Sequence, residues 1–276
     1  MAIDQDYICQ LFDLKEQVVI LTGGMGKLGT NYVEALARAN ARVAIFDVIA
    51  TPNDRLAKLA QSFPLMFMRV DVTNESEVSA AVDQVIAAWD IPTILINNAG
   101  WKASPNEATK ASVPFEDYPM EVWNDVFKSN TLSAAICAKL VGKRLIQHKR
   151  SGTIVNIASH YALVSPDQRA YAHKEALTGR KFIKDASYSA SKAALLALTR
   201  DLATQWAPYG IRVVALSPGG VLNPKGDPEF IKNYNQRTPM GRMANEDEYN
   251  RALLFLISDT YSTGSNLLVD GGYTAW

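Results

Sequence analysis

Short runs rich in β-branched and apolar residues alternate with longer stretches of helical period along the whole chain, and this alternation constrains the fold more than any other feature. Strands are predicted at 18–22, 42–47, 65–70, 93–97, 153–158, 211–216 and 266–269. Most are apolar throughout rather than alternating, as suits a parallel sheet covered by helices on both faces. Between them, 76–89 places Val78, Val82, Val85 and Ile86 on one helical face, with Asn74 as N-cap and Glu77 three residues on. A second long helix is predicted over 187–206, stopped by Pro208 and Gly210. The 276 residues show no repeat, linker or low-complexity segment, so one layered α/β domain over 1–276 is expected.

Composition removes several function classes. The 28 basic and 28 acidic side chains cancel, leaving no global field to favour nucleic acid or an anionic membrane. Two distant cysteines, Cys9 and Cys137, and three histidines, His148, His160 and His173, lack metal-ligand or redox spacing, so no metal is expected. The N-terminus lacks signal-peptide order and no apolar run reaches the roughly 18 residues of a membrane span, which points to a cytoplasmic protein. Two stretches, 101–119 and 162–186, exceed the usual short connection and are expected to form an active-site lid.

The first strand runs into Thr22-Gly23-Gly24-Met25-Gly26-Lys27-Leu28-Gly29 and then a helix. Glycines there let the backbone turn sharply towards a pyrophosphate, whose charge the helix N-terminal amides would meet, so Gly23, Met25, Gly26, Lys27 and Leu28 are candidate cofactor contacts. The second strand ends at Asp47, 18 residues after Gly29. A carboxylate there can accept both ribose hydroxyls of adenosine and would repel a 2′-phosphate, which favours NAD over NADP. Asp71-Val72 follows the third strand and Asn97-Asn98-Ala99-Gly100 ends the fourth, both at carboxyl ends where open α/β sheets bind ligands.

Tyr188-Ser189-Ala190-Ser191-Lys192 sets a phenol and an amine four residues apart on one helical face. A phenol is a poor base at neutral pH, and an adjacent ammonium is expected to lower its pKa towards the working range. Ser159, at the end of the fifth strand, offers a hydroxyl to hold the reacting oxygen. Together with Asn130 and Ser217-Pro218-Gly219, these motifs give the chain its resemblance to the compact short-chain dehydrogenases/reductases, from Phe12-Asp13-Leu14-Lys15 to Val269-Asp270-Gly271-Gly272.

The resemblance implies a doubly wound Rossmann-type fold with a seven-stranded parallel sheet, a small-molecule substrate and a homo-oligomer, tetramer or dimer. It implies that Ser159 polarises the substrate oxygen, Tyr188 exchanges its proton, Lys192 binds the nicotinamide ribose and tunes Tyr188, and Asn130 holds a relay water. By the same likeness Asp71, Val72 and Asn98 line adenine and ribose, and Val221 presents its backbone to the carboxamide.

Three departures stand out. Lys27 occupies a position where the family usually has glycine and could contact cofactor or solvent. Val221-Leu222-Asn223-Pro224 lacks the usual threonine, for which Asn223 is a candidate substitute. Ser159 and Tyr188 lie 29 residues apart, far beyond the common spacing, with a decoy, Tyr171 and Lys174, between them. His160, beside the serine, is the histidine with the better claim to touch substrate, and Trp101 and Trp276 read as packing or interface residues. Over 165–186 five strong bases face three acids, a surplus suited to an anionic substrate. The activity expected is NAD-linked hydride transfer at the hydroxyl or carbonyl carbon of a polyol, sugar or sugar-derived acid. The alternatives are a 3-oxoacyl-type carbonyl reductase and a non-catalytic dinucleotide-binding protein.

Overall fold

The computed structural model describes residues 5–100, 112–179 and 182–276. In chain order it contains α1 (Gln5–Phe12), β1 (Val18–Thr22), α2 (Lys27–Arg38), β2 (Arg42–Asp47), α3 (Asp54–Leu59), β3 (Leu65–Arg69), α4 (Glu75–Ala88) and β4 (Ile94–Asn97). There follow α5 (Met120–Phe127), α6 (Ser133–Gln147), β5 (Gly152–Ile157), α7 (Ala172–Thr178), α8 (Ala186–Trp206), β6 (Ile211–Pro218), α9 (Pro228–Arg237), α10 (Asn250–Ser258) and β7 (Asn266–Val269).

The seven strands form one sheet in the order β3-β2-β1-β4-β5-β6-β7, with every neighbour parallel. Successive strand residues point to opposite faces, which divides the core in two. Val19, Leu21, Val43 and Ile45 pack with Leu36 of α2, Leu56 of α3 and Leu253 of α10. Val18, Ile20, Ala44 and Phe46 pack with Val82 of α4, Leu145 of α6 and Ala203 of α8. Because the chain leaves β3 and returns beside β1, the connections after β1 and β4 diverge and open a crevice at the carboxyl edge of the sheet.

Local chemistry fixes the element ends. Asn74 caps α4 by accepting the amides of Ser76 and Glu77, while the Glu77 carboxylate accepts the Asp71 amide at 2.9 Å. Gly210 ends the turn after α8 in the left-handed region at φ 71°, where a side chain is disfavoured. β6 runs two residues beyond the predicted strand because Ser217 and Pro218 still pair with Leu268 and Val269 of the edge strand β7.

Over its described residues, the insert 162–186 is more ordered than a long connection suggests. It contains a 3₁₀ turn at Gln168–Tyr171 and α7, which stops at Gly179 with φ 66°. Tyr171 is stacked between Phe182 at 5.0 Å and Phe230 of α9 at 4.9 Å, so this segment packs on the helix after β6. Of the other stretch, 101–111 lies outside the described residues, and Phe115–Asp117 forms a 3₁₀ turn leading into α5.

Arg212 ties β6 to the end of α10. Its half-buried guanidinium donates to the carbonyls of Leu256, Ile257 and Ser262 and to Thr153 Oγ1 at 2.8–3.2 Å. Arg212→Met keeps most of the apolar stem and strands four acceptors, so urea unfolding should show a loss of about 3 kcal/mol. A loss below about 0.5 kcal/mol would show that water replaces these bonds.

Candidate active site

β1 ends at Thr22 and the chain turns at once. Gly23 sits at φ 66°, and a Cβ on it would lie 2.8 Å from the Ala99 backbone. A Cβ on Gly29 would run into the Gly23 carbonyl, so the first turn of α2 can lie against the loop only while that position is glycine. Gly26 caps α2 without a side-chain bond, which leaves first-turn amides available to an anion. The Lys27 ammonium crosses the cleft to the Leu222 carbonyl and lies 4.0 Å from Glu246. It therefore ties the lip of the glycine turn to the loop after β6.

Asp47 is buried at the end of β2. One carboxylate oxygen accepts the Met25 amide at 2.9 Å and the other the Ile49 amide at 3.0 Å. Each oxygen keeps a lone pair for a further donor, which suits a pair of ribose hydroxyls. Asp71 accepts from the Thr73 amide and hydroxyl. Asn98 reaches the same cleft, and its amide nitrogen donates to the Thr22 and Gly23 carbonyls, bracing the glycine turn.

At the other end, Asp185 caps α8 by accepting the Tyr188 amide at 2.9 Å and the Ser187 hydroxyl at 2.8 Å. Tyr188 and Lys192 lie one helical turn apart. Lys192 is buried, donates to the Ile157 carbonyl at 2.7 Å, and is pulled down to about 8 by desolvation. Burial also raises the Tyr188 pKa; a hydrogen bond with Ser159 opposes the shift and Asp185 adds to it. Desolvation thus outweighs the Ser159 bond at the phenol.

Asn130 lies in a π-helical turn, Lys128–Leu132, between α5 and α6. Its amide donates to Ser191 Oγ at 2.9 Å, and Ser191 donates to the Tyr188 carbonyl at 2.8 Å. A Cβ on Gly100 would stand 3.2 Å from Asn130 Oδ1 and 3.9 Å from Lys192 Nζ, so both side chains lie close to Gly100. The π turn itself left no sign in the helical periodicity.

These groups border one cleft of about 740 Å³. Gly23, Met25, Gly26, Lys27, Leu28, Asp47, Asp71, Val72, Asn98, Ser159, Tyr188, Lys192 and Val221 all line it, whereas Asn130 stands buried behind Gly100. Its volume, its glycine-built turn and the uncapped α2 terminus fit a dinucleotide.

The structure also separates true neighbours of the cleft from sequence candidates. Tyr171 is in an aromatic stack outside it, and Arg169 is paired with Asp167 on the surface. Arg180 lies outside the described residues, as does Trp101. Among the described bases of 165–186, Lys184 lines the cleft, with its ammonium 5.0 Å over the Tyr188 ring. Asn223 accepts the Lys225 amide, and the Trp276 indole donates to the Arg237 carbonyl. Among the described residues no cluster of three or more His, Cys, Asp or Glu could hold a metal, and no helix is long and apolar enough to cross a membrane.

Residues 26–274 match the family profile described as enoyl-(acyl carrier protein) reductase. An NAD-dependent glycerol dehydrogenase of Listeria innocua is 30% identical over 269 residues, covering 95% of this chain and 96% of that protein. A short-chain dehydrogenase of Leptospira borgpetersenii with bound NAD+ superposes with a TM-score of 0.84 at 30% identity, covering 99% of this chain and 97% of that one. A gluconate 5-dehydrogenase of Burkholderia cenocepacia, in complex with NADP and tartrate, superposes with a TM-score of 0.82 at 26% identity, covering 98% and 99%.

Gly29→Ala places a methyl against the Gly23 carbonyl and forces the turn open. NADH affinity, followed by fluorescence titration, should fall at least about tenfold, the equivalent of 1.4 kcal/mol. Unchanged affinity would show that the turn does not hold the dinucleotide.

Proposed function

This chain belongs to the short-chain dehydrogenases/reductases, and from that premise we propose that it moves a hydride between NAD(H) and the hydroxyl- or carbonyl-bearing carbon of a polyol, sugar or sugar-derived acid. The observation that carries this reading is the placement of Ser159, Tyr188 and Lys192 at one end of the cleft that Asp47 closes at the other. When bound, the nicotinamide accepts or returns the hydride. Tyr188 takes the substrate hydroxyl proton during oxidation and gives it back during reduction. Ser159 holds the same oxygen by hydrogen bond, within reach of the phenol. Lys192 holds a proton on its amine at the cofactor side of Tyr188, where positive charge favours the phenolate. Asn130 braces the first turns of α8 through Ser191 and, with Lys192, supports a water-mediated path for the proton.

The preference for NAD rests on Asp47, since relatives bind either dinucleotide. A buried carboxylate already holding two backbone amides cannot turn away from a 2′-phosphate, and the repulsion in a desolvated site is costly. The substrate class draws support from the glycerol and gluconate dehydrogenases among the similar proteins. From the insert that carries α7, Lys184 lines the cleft and puts one ammonium beside Tyr188. A homo-oligomer, tetramer or dimer, is expected from the family.

Tyr188→Phe removes the titrating hydroxyl and keeps the ring. Turnover with NAD+ and the best substrate from a polyol and sugar-acid panel should fall by about two to four orders of magnitude while NADH still binds. Wild-type turnover in the variant would overturn the proton assignment. Asp47→Ala should weaken NAD binding about tenfold and narrow the NAD over NADP preference, in line with loss of charged hydrogen bonds worth about 1.5–3 kcal/mol. A wild-type preference for NADP in steady-state assays would overturn the cofactor assignment.

A further inference from the structure

His160, the residue after Ser159, takes no part in the proton exchange above, yet its ring has every hydrogen-bonding direction fixed. It is 3% exposed, with the Tyr161 ring at 3.9 Å and the Tyr273 ring edge-on at 4.9 Å. Nδ1 lies 3.1 Å from the Pro218 carbonyl, and Nε2 lies 3.2 Å from the Tyr234 hydroxyl of α9. A carbonyl can only accept, so Nδ1 carries the proton and Nε2 of the neutral ring is an acceptor. Tyr234 must then donate to Nε2. Its oxygen is left to accept the Gly220 amide, which lies 2.7 Å away. One acceptor-only carbonyl thus sets the direction of the whole chain of bonds.

The consequence reaches Ser159. The His160 Nδ1–H also faces Ser159 Oγ in a long shared contact of 3.4 Å, and the Tyr161 amide donates to the same oxygen at 3.2 Å. With two N–H groups on its lone-pair side, the hydroxyl has one useful direction for its own proton, outward to the reacting oxygens.

We propose that His160, held in its Nδ1–H form by Pro218 and Tyr234, is a positioning residue that makes Ser159 a hydrogen-bond donor to the reacting oxygen and locks the Pro218–Gly220 turn beside it. The inference rests on the reading of Tyr188 as the proton carrier. A donating Ser159 favours negative charge on the Tyr188 phenol and on a substrate alkoxide, and an accepting one does not. Tyr234 extends the tie to α9, so the serine, the turn after β6 and α9 are held by one line of bonds.

The ring stays uncharged in this role. Burial pulls its pKa down to about 4, against the opposing Asp270 carboxylate. The other titratable groups facing it are the phenols of Tyr161, Tyr234 and Tyr273, of which burial raises the first two. Around Tyr188 the charged neighbours are Lys184, Asp185 and Lys192. Changes at His160 therefore act on the kinetic pH profile through Ser159 and not through titration of the imidazole.

Two measurements on the full chain test the proposal. Nitrogen-15 NMR of histidine-labelled protein should show one of the three imidazoles, absent in His160→Asn, with Nδ1 protonated and Nε2 bare from about pH 5.5 to 8, a range that spans the ordinary histidine pKa. An Nε2–H form, or protonation near the ordinary histidine value, would overturn it. In steady-state assays with NAD+ and the best panel substrate, His160→Leu should lower kcat about 10- to 100-fold, at or below the usual worth of positioned acid–base catalysis, and move the Tyr188 limb of the profile to higher pH. His160→Asn, whose side-chain amide can replace the Nδ1–H donor, should recover most of both. Tyr234→Phe removes one oxygen and should fall between, and it carries the same test if His160→Leu fails to fold. Equal impairment in the Leu and Asn variants, or a Leu variant with wild-type kcat and profile, would overturn the proposal. Tyr188→Phe, assayed alongside, separates the two claims: retained turnover there removes the proton carrier, while the tautomer measurement still judges the network.

Discussion

The position of the candidate catalytic groups depends on how α8 is held against β5. A buried polar line does this. Asn97 donates to Asn156 Oδ1 at 2.9 Å, Asn156 donates to Thr199 Oγ1 at 2.9 Å, and Thr199 donates to the Leu195 carbonyl at 2.7 Å. Lys192 adds its bond to the Ile157 carbonyl, Thr131 one to the Ser191 carbonyl at 3.1 Å, and Asp185 its cap. In a low-dielectric interior each of these bonds is strong, and breaking one strands a partner at a cost of about 1–3 kcal/mol. Tyr188 is therefore held by a rigid frame rather than by loop residues.

The remainder of the site follows from topology. Returning from β3 to the far side of β1 opens the crevice, and parallel pairing sends Thr22, Asp47, Asn97, Ile157 and Pro218 to the same edge. The dinucleotide end is built mainly from backbone, with glycines and an open helix terminus. The reacting end is built from desolvated side chains. That contrast has a chemical cost and use: burial lowers the Lys192 pKa to about 8 and raises that of Tyr188, so the amine still holds its proton at neutral pH while the phenol gives up its own less readily. Hydrogen-bond donors such as Ser159 then decide how readily the phenol gives up its proton.

Much of this was legible in the sequence because it depends on local pattern. The apolar strand runs, the Asn74 cap and the one-turn spacing of Tyr188 and Lys192 each signal their own structure, and the sheet has the expected seven parallel strands. Spacing also separated Tyr188 from Tyr171, which the structure places in a stack with Phe182 and Phe230. What escaped depends on long-range contacts. Seven residues of α7 are too few to show a period, and its start is held by Tyr171 stacked on Phe230 and by His173 against Asp227, partners no local pattern reveals. The bracing role of Asn98 gave no local sign, because its amide meets carbonyls 75 and 76 positions away. A local count of charge also leaves out partners from elsewhere in the chain: Lys174 of the insert lies near Asp227 and over the Phe182 ring. His160 gave no signal beyond its place after Ser159, since its tautomer is fixed by Pro218 and Tyr234, 58 and 74 positions on.

The central claim is that one cleft at the carboxyl edge of the sheet brings a nicotinamide to Tyr188. A crystal structure of the chain with NAD+ tests it most directly. The pyrophosphate is expected over the amides that start α2, the adenosine ribose on Asp47, and the nicotinamide ring beside Lys192, with Ser159 and the Tyr188 hydroxyl facing its reactive carbon. A dinucleotide bound elsewhere, or a nicotinamide ring meeting Tyr171 in place of Tyr188, would contradict it.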